Sequence, residues 1–310
     1  MTLNVLFAAR PARWPEFRDV LLTAFAESGL DVHLSCNIPP EEVDYILYAP
    51  TGPVQDFTAF TRARAALSLW AGVERIVGNR TLRIPLARMV DDGLSQGMQD
   101  WVVGHVLRHH LDMDRHILNQ SGAWDPFVPP LATERRVTIL GLGALGRACA
   151  TALAGLGFRV TGWSRSAKDV PGITCLAGDD GLALALSSAE ILVLLLPDTP
   201  QTRDVINAER LAQMPAGAAI LNPGRGTLID DDALLQALDA GHIRHATLDV
   251  FRIEPLPGDH PYWAHPRVTV TPHIAADTRP FSAAKVIAEN IRRNAAGETM
   301  LYLVDRNAGY

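Results

Sequence analysis

Short runs of nearly continuous apolar residues alternate along this chain with longer stretches whose apolar positions recur at helical spacing. That alternation predicts an α/β protein with parallel sheets. Asn4–Ala8 reads as a first strand, and Phe17–Ser28 as a helix stopped by Gly29. Tyr45–Tyr48 reads as another strand, ended by Pro50, and Ala65–Leu69 as a third, running into the turn Trp70-Ala71-Gly72. These βα units predict a smaller domain over residues 1–98.

A long helical pattern follows from Gln99 to Asn119, with Trp101, Val102, His105, Val106 and His109 near one face. Ser121–Arg136 carries Pro126, Pro129 and Pro130 and reads as extended chain. Six further strands are predicted: Val137–Leu140, Arg159–Trp163, Ile191–Leu196, Ala218–Asn222, Ala246–Val250 and Val268–Thr271. Each is almost wholly apolar, as strands covered on both faces are. Six is the strand count of a dinucleotide-binding sheet. The last helix, Ser282–Ala296, is expected to return to the first domain. The expected architecture is therefore two Rossmann-like doubly wound domains. The cofactor domain, 99–280, is inserted into a smaller flavodoxin-like substrate domain, 1–98 and 281–310.

Composition narrows the function classes. Lys and Arg number 28 against 34 Asp and Glu in 310 residues, giving a formal charge of −6. That balance argues against nucleic acid or an anionic membrane as the partner. Three scattered cysteines suit neither a disulfide framework nor a zinc site, and point to a reducing compartment. The N-terminus has no basic segment followed by a long apolar run, and no stretch approaches the ~20 apolar residues of a membrane helix. A cytoplasmic location is the expectation.

The first chemical motif is Val137-Thr-Ile-Leu-Gly141-Leu-Gly143-Ala144-Leu145-Gly146-Arg147, a strand, tight turn and helix start. Gly141 permits the turn, Gly143 lets backbone approach a pyrophosphate, and Gly146 lets helix and strand pack closely. The helix N-terminus offers N–H groups to the anion. An NAD site wants an acid at the end of the next strand, roughly 20 residues on, for the ribose hydroxyls. Here the strand ends in Ser164-Arg165-Ser166, with Lys168 close by. A carboxylate would repel a 2′-phosphate, whereas a hydroxyl and a guanidinium would bind it, so NADP(H) is predicted over NAD(H).

Three later strands end in Asn222-Pro223-Gly224-Arg225, in Asp249-Val-Phe-Arg-Ile-Glu254 and in Thr271-Pro-His273. Strand C-terminal ends line the ligand crevice of a doubly wound sheet. One Arg, one Glu and one His at successive strand ends fit reduction of a keto acid. Arg225 supplies a planar fork for a carboxylate. His273 supplies a proton donor for the carbonyl oxygen. Glu254 would orient His273 and favour its protonated form.

These motifs, with the phrases LLPDTPQT, LNPGRGTLID, LDVFRIEPLP and HPRVTVTPHIAA, resemble the D-isomer-specific 2-hydroxyacid dehydrogenase family over nearly the whole chain. Gly97–Gln99, the WSRS segment and the C-terminal VDRNAGY are similar to its bacterial glyoxylate/hydroxypyruvate reductase A group. The resemblance implies Arg225, Glu254 and His273 as the catalytic set. It implies cofactor contacts at Ala144 and Leu145 (pyrophosphate), Ser164 and Arg165 (adenosine ribose and phosphate), Leu196, Pro197, Pro223, Gly224 and Ala275, with Asp249 on the nicotinamide amide. It implies substrate contacts at Tyr48 and at the Trp70-Ala71-Gly72 loop, besides Arg225. It also implies a small 2-keto or 2-hydroxy acid as substrate and a homodimer formed through the region after the first domain.

Two positions depart from the family's habit. Trp70 stands where Gly is common, which narrows the expected pocket. Pro223-Gly224 stands where a small residue and Ala are common. Two alternatives remain: a bulkier 2-keto acid, or a dinucleotide-sensing binding protein. His105 and His109, an i, i+4 pair, are read as a helix packing face, and no metal site is expected. Cys149 and Cys175 are read as core thiols, and Asp91-Asp92 and Asp230-Asp231-Asp232 as solvated loop and N-cap positions.

Overall fold

The computed structural model describes residues 2–306 of the chain. The Asn307–Tyr310 part of the VDRNAGY segment lies outside them. Two compact units are present: one runs to Leu94 and resumes at Asp277, and the other is Ser95–Ala276. Each boundary falls four residues before the expected 98/99 and 280/281 positions.

In the first unit, β1 (Leu3–Ala8) is followed by α1 (Trp14–Glu27), β2 (Val32–Ser35), β3 (Tyr45–Tyr48), β4 (Ala65–Ser68) and β5 (Leu86–Ala87). The strands are parallel in the order β2-β1-β3-β4-β5, the flavodoxin-like arrangement. β3 and β4 are buried at every position, which their unbroken apolar runs foretold. Phe17, Leu21 and Phe25 of α1 pack on one sheet face, while Phe57, Phe60, Ile76 and Leu82 cover the other.

α2 (Asp92–His110) is preceded by Asp91, whose carboxylate accepts the Leu94 N–H at 2.9 Å. The expected single helix Gln99–Asn119 is instead two: α2 stops at His110 and α3 spans Met113–Leu118. Asp112 adopts a left-handed conformation (φ 51°) between them. Arg244 fixes this break by donating to the His109 carbonyl and the Asp112 carboxylate, both at 3.0 Å. The chain from Asn119 to Leu131 has no regular element, as its prolines imply.

The second unit's sheet contains β6 (Arg136–Leu140), β7 (Arg159–Ser164), β8 (Thr174–Ala177), β9 (Ile191–Leu194), β10 (Ala218–Asn222), β11 (Ile243–Leu248) and β12 (Val268–Val270). The intervening helices are α4 (Ala144–Gly155), α5 (Gly178–Ser187), α6 (Ala208–Gln213) and α7 (Asp231–Asp239). All strand pairs are parallel, in the order β12-β11-β10-β9-β6-β7-β8. That is the doubly wound order, with its switch point between β6 and β9 and one strand added beyond β11. Seven strands replace the expected six, because β8 carries no wholly apolar run to announce it. β11 also starts and ends earlier than the expected Ala246–Val250, leaving Asp249 beyond its end. α8 (Pro280–Ala295) then buries Ala283, Ala284, Ile287, Ala288 and Ile291 in the core of the first unit. The α/β class and the two doubly wound sheets are as the sequence indicated.

Candidate active site

The phosphate cradle is built from backbone. Gly141 follows β6 at φ 109°, a conformation that L side chains rarely adopt, and a Cβ there would meet the Leu195 carbonyl oxygen at 2.4 Å. A Cβ on Gly146 would lie 1.7 Å from the Gly141 carbonyl oxygen, so the turn closes on α4 only without one. Gly143 is the N-cap residue of α4, with no side-chain cap and open space where a Cβ would stand. A helix start left open in this way suits a pyrophosphate. Ala144 and Leu145 form the first turn behind it. Across the switch point, Leu196, Pro223 and Gly224 are buried. A Cβ on Gly224 would press the Leu194 carbonyl oxygen at 2.7 Å.

Ser164 closes β7 and is 9% exposed. Its hydroxyl donates to the Ser166 carbonyl at 2.8 Å and so folds the turn back on itself. That donor proton is engaged locally, whereas the sequence reading assigned it to a phosphate. Arg165 and Lys168 are exposed on the same turn, with no acid at the strand end.

Arg225 follows β10 on a turn clasped by Asn222. The Asn222 amide donates to the Arg225 carbonyl at 2.9 Å, and its oxygen accepts the Gly224 N–H at 3.2 Å. The Arg225 guanidinium donates to the Gly224 carbonyl at 2.7 Å. Gly226 brings this turn against the next loop: a Cβ there would lie 2.0 Å from the Phe251 carbonyl carbon.

His273 and Glu254 meet. His273 Nδ1 stands 2.8 Å from Glu254 Oε2, and the Phe251 N–H donates to Glu254 Oε1 at 2.9 Å. An ionised carboxylate only accepts, so Nδ1 carries the proton and Nε2 is left for a reactant. Burial alone would raise the Glu254 pKa. The His273 hydrogen bond, the Phe251 N–H and the fields of His273 and Arg225 outweigh it and hold the carboxyl below its ordinary value. The His273 side chain is 47% exposed and thus open to a ligand.

His273 is also one of few non-glycine residues with positive φ, at 55°. Asp249 holds that turn. Its buried carboxylate accepts the Thr271 hydroxyl at 2.5 Å and the Ile274 and Ala275 N–H groups at 2.9 Å, and its carbonyl accepts the His273 N–H at 2.9 Å. Three of roughly four carboxylate acceptor positions are therefore engaged inside the protein. The family-implied nicotinamide contact is left with the remaining one.

The residues expected to contact substrate in the first unit divide. Trp70 is 39% exposed, on a turn where the Ser68 hydroxyl accepts its N–H and donates to its carbonyl. Ala71 and Gly72 are half-buried. Tyr48 is 2% exposed and packs on Phe57 with ring centres 5.7 Å apart, as a core residue does. His109 is a packing residue: it is 3% exposed, bonds Thr247 at 2.9 Å and stacks on His245. Among the described residues no group of three or more His, Cys, Asp or Glu is arranged for a metal, and no helix is long and apolar enough to cross a membrane. The sequence reading missed Asp231, taken there as solvated; its carboxylate accepts the Tyr262 hydroxyl at 2.9 Å. It also missed Arg252. Arg252 lies inside the segment that carries Glu254, but nothing in that segment says that its guanidinium reaches Asp231.

Comparison with known proteins identifies the family. Residues 101–275 match the family model described as D-isomer specific 2-hydroxyacid dehydrogenase, NAD binding domain. Glyoxylate/hydroxypyruvate reductase A of Serratia proteamaculans is 40% identical over 257 residues, covering 80% of this chain and 82% of that protein. A D-isomer specific 2-hydroxyacid dehydrogenase from Xanthobacter autotrophicus, solved with NADPH and MES, is 41% identical, with a TM-score of 0.93 and full coverage of both chains. An NADPH-dependent glyoxylate/hydroxypyruvate reductase from Sinorhizobium meliloti, solved with NADP and sulfate, is 31% identical, with a TM-score of 0.86 over 100% of this chain and 99% of that one. The chain belongs to the D-isomer specific 2-hydroxyacid dehydrogenase family.

Proposed function

We propose that this protein is an NADPH-dependent reductase of a small 2-keto acid, with glyoxylate or hydroxypyruvate as substrate. The observation that carries the proposal is the His273–Glu254 pair beside Arg225, at strand ends of the sheet that bears the phosphate cradle. The fit to a dinucleotide rests on Gly143 at an uncapped helix start, with Gly141 and Gly146 shaping the approach. Preference for the 2′-phosphate is supported by the missing acid at the end of β7 and by the NADPH and NADP complexes of the two similar structures. Because the Ser164 proton is held by Ser166, Arg165 and Lys168 carry that contact.

When bound, the nicotinamide supplies the hydride. Arg225 holds the substrate carboxylate and polarises the adjacent carbonyl. His273 gives a proton from Nε2 to the carbonyl oxygen as it gains charge. Glu254 fixes the His273 ring through Nδ1, so that Nε2 faces the reactant. Asp249 sets the left-handed turn that aims the ring. The Trp70-Ala71-Gly72 loop is proposed to contact the substrate carboxylate through backbone N–H groups.

A homodimer belongs to the same proposal. Ile117 and Leu118 of α3, with Trp124, Val128 and Leu131 of the chain that follows it, expose more apolar surface than an isolated chain is expected to leave wet. A reducing, cytoplasmic setting fits three free cysteines, one of them exposed.

Initial rates with glyoxylate, hydroxypyruvate and pyruvate, each with NADPH and NADH, test the reading. Fast loss of NADPH absorbance with the first two and little with NADH is expected. Equal rates with NADH would overturn the cofactor assignment. Tight NADPH binding with no turnover of any keto acid would instead favour a sensing protein.

A further inference from the structure

Glu254 stands on a stretch of bends and turns, largely solvent-facing, that gives it no support from a helix or strand. Something else must hold it against His273. Two anchors flank it. Before it, the Arg252 guanidinium donates to the Ile229 carbonyl and the Asp204 carboxylate, and its Nε lies 3.4 Å from Asp231 Oδ2. After it, Tyr262, 3% exposed, donates its hydroxyl to Asp231 Oδ1 at 2.9 Å. Both sides of the Glu254 loop therefore converge on the two oxygens of one carboxylate.

Asp231 is not needed there to start α7. Asp230 is the N-cap and accepts the Ala233 N–H at 3.1 Å. Burial raises the Asp231 pKa, while the Tyr262 hydroxyl and the Arg252 charge oppose that rise. A carboxylate drawn partly out of water gains from such partners. The same network reaches the turn that carries Arg225. Asp204 donates its N–H to the Thr227 carbonyl at 2.9 Å, and Ile229 belongs to the segment that continues from Arg225. One guanidinium thus ties the Glu254 loop to the Arg225 segment, at the place where Gly226 lets the two backbones touch.

We propose that Asp231 is a positioning residue for the reaction: with Arg252 and Tyr262 it pins the loop on both sides of Glu254 and keeps that carboxylate on His273. The inference rests on the proposed keto-acid reduction for its consequence in rate, but not for its consequence in structure. The step it serves moves no further atoms. It fixes the distance between groups already assigned.

The test compares Asp231→Asn and Arg252→Met with the unaltered enzyme, with Glu254→Gln as reference. The first readout needs no turnover. Carbon-13 NMR of the glutamate carboxyls, with the Glu254 signal assigned by its loss in Glu254→Gln, should show Glu254 titrating at higher pH in both variants. The second readout is kinetic. Misplacing a reacting group lowers kcat about ten- to a hundredfold, and NADPH affinity should stay unchanged. In the Glu254→Gln background, Asp231→Asn should add almost no further loss. Asp231→Glu should recover part of the rate. A lower melting temperature with the Glu254 titration and kcat both unchanged would overturn the proposal, leaving Asp231 a stabilising contact only. If Asp231→Asn does not fold, Arg252→Met decides alone. A titration shift in an enzyme that reduces no keto acid would sink the functional reading and leave the positioning intact. Keto-acid reduction with an unmoved titration would do the reverse.

Discussion

The proposed phosphate cradle and the His273–Glu254 pair both stand at strand ends of one sheet, yet they are held in place by different means. The cradle is backbone geometry. Gly141 turns where a side chain would strain, and Gly146 leaves no room for a methyl group between helix and strand. The His273–Glu254 pair is side-chain geometry. Glu254 and His273 come from two loops: the buried Asp249 carboxylate holds the turn that carries His273, and the half-buried Asp231 carboxylate is proposed to hold the loop that carries Glu254. A backbone site is written in consecutive residues. A side-chain site depends on contacts between residues far apart in the chain, and its supports leave little local trace.

The largest effect expected from breaking the second kind of site is at Arg225. Arg225→Ala should lower kcat/KM by about a thousandfold or more if, as proposed, the fork contacts both the carboxylate and the developing oxyanion. KM for the keto acid should rise as kcat falls, and steady-state rates over a range of substrate concentration separate the two. Breaking the first kind of site should spare the chemistry and strike the cofactor. Gly146→Ala forces a methyl group onto the Gly141 carbonyl oxygen. NADPH Kd by fluorescence titration should weaken about a hundredfold, a loss of ~2.7 kcal/mol. An unchanged Kd would show that the cradle is not the dinucleotide site.

This difference explains what could be read from the sequence. The apolar runs of β3, β9 and β10 and the spacing of Gly141, Gly143 and Gly146 announced both sheets and the cradle, because each is a property of neighbouring residues. β8 was invisible: it lies at the sheet edge, and its residues Thr174–Ala177 include no fully buried position. The break after α2 was invisible because one left-handed Asp112 leaves the apolar spacing on either side undisturbed. Arg225, Glu254 and His273 were legible as strand-end residues, and the pairing of the last two is seen in the structure. Asp231 was read as solvated because nothing in an Asp triplet says which carboxylate will find Arg252 and Tyr262. Tyr48 lies in an apolar strand, and there the plain core reading describes its burial better than the substrate contact that the resemblance implied.

The smallest effect is on stability and distinguishes the support of the sheet from the site itself. Burial, then the positive fields of His245, Arg244, Arg108 and His105, pushes the His109 pKa down to about 2. Burial and the fields of Arg108 and Arg244 bring His245 down to about 4. Both rings are thus neutral when folded and gain a proton more readily when unfolded. Their contribution is fully present above the unfolded value of about 6.5 and is lost as pH falls below it. For His109 the loss should reach at most ~1.4 kcal/mol per pH unit. His109→Gln should flatten the fall in melting temperature between pH 6.5 and pH 5, with kcat at neutral pH little changed. A melting temperature equally steep in the variant would place the acid sensitivity elsewhere.

The central claim is that His273 supplies the proton while the cradle holds the cofactor independently. Its most direct test is kcat and NADPH Kd measured together for His273→Ala at neutral pH. The account predicts a fall in kcat of about a hundred- to ten-thousandfold, the usual worth of a positioned general acid, with NADPH Kd unchanged. A near-normal kcat would contradict it.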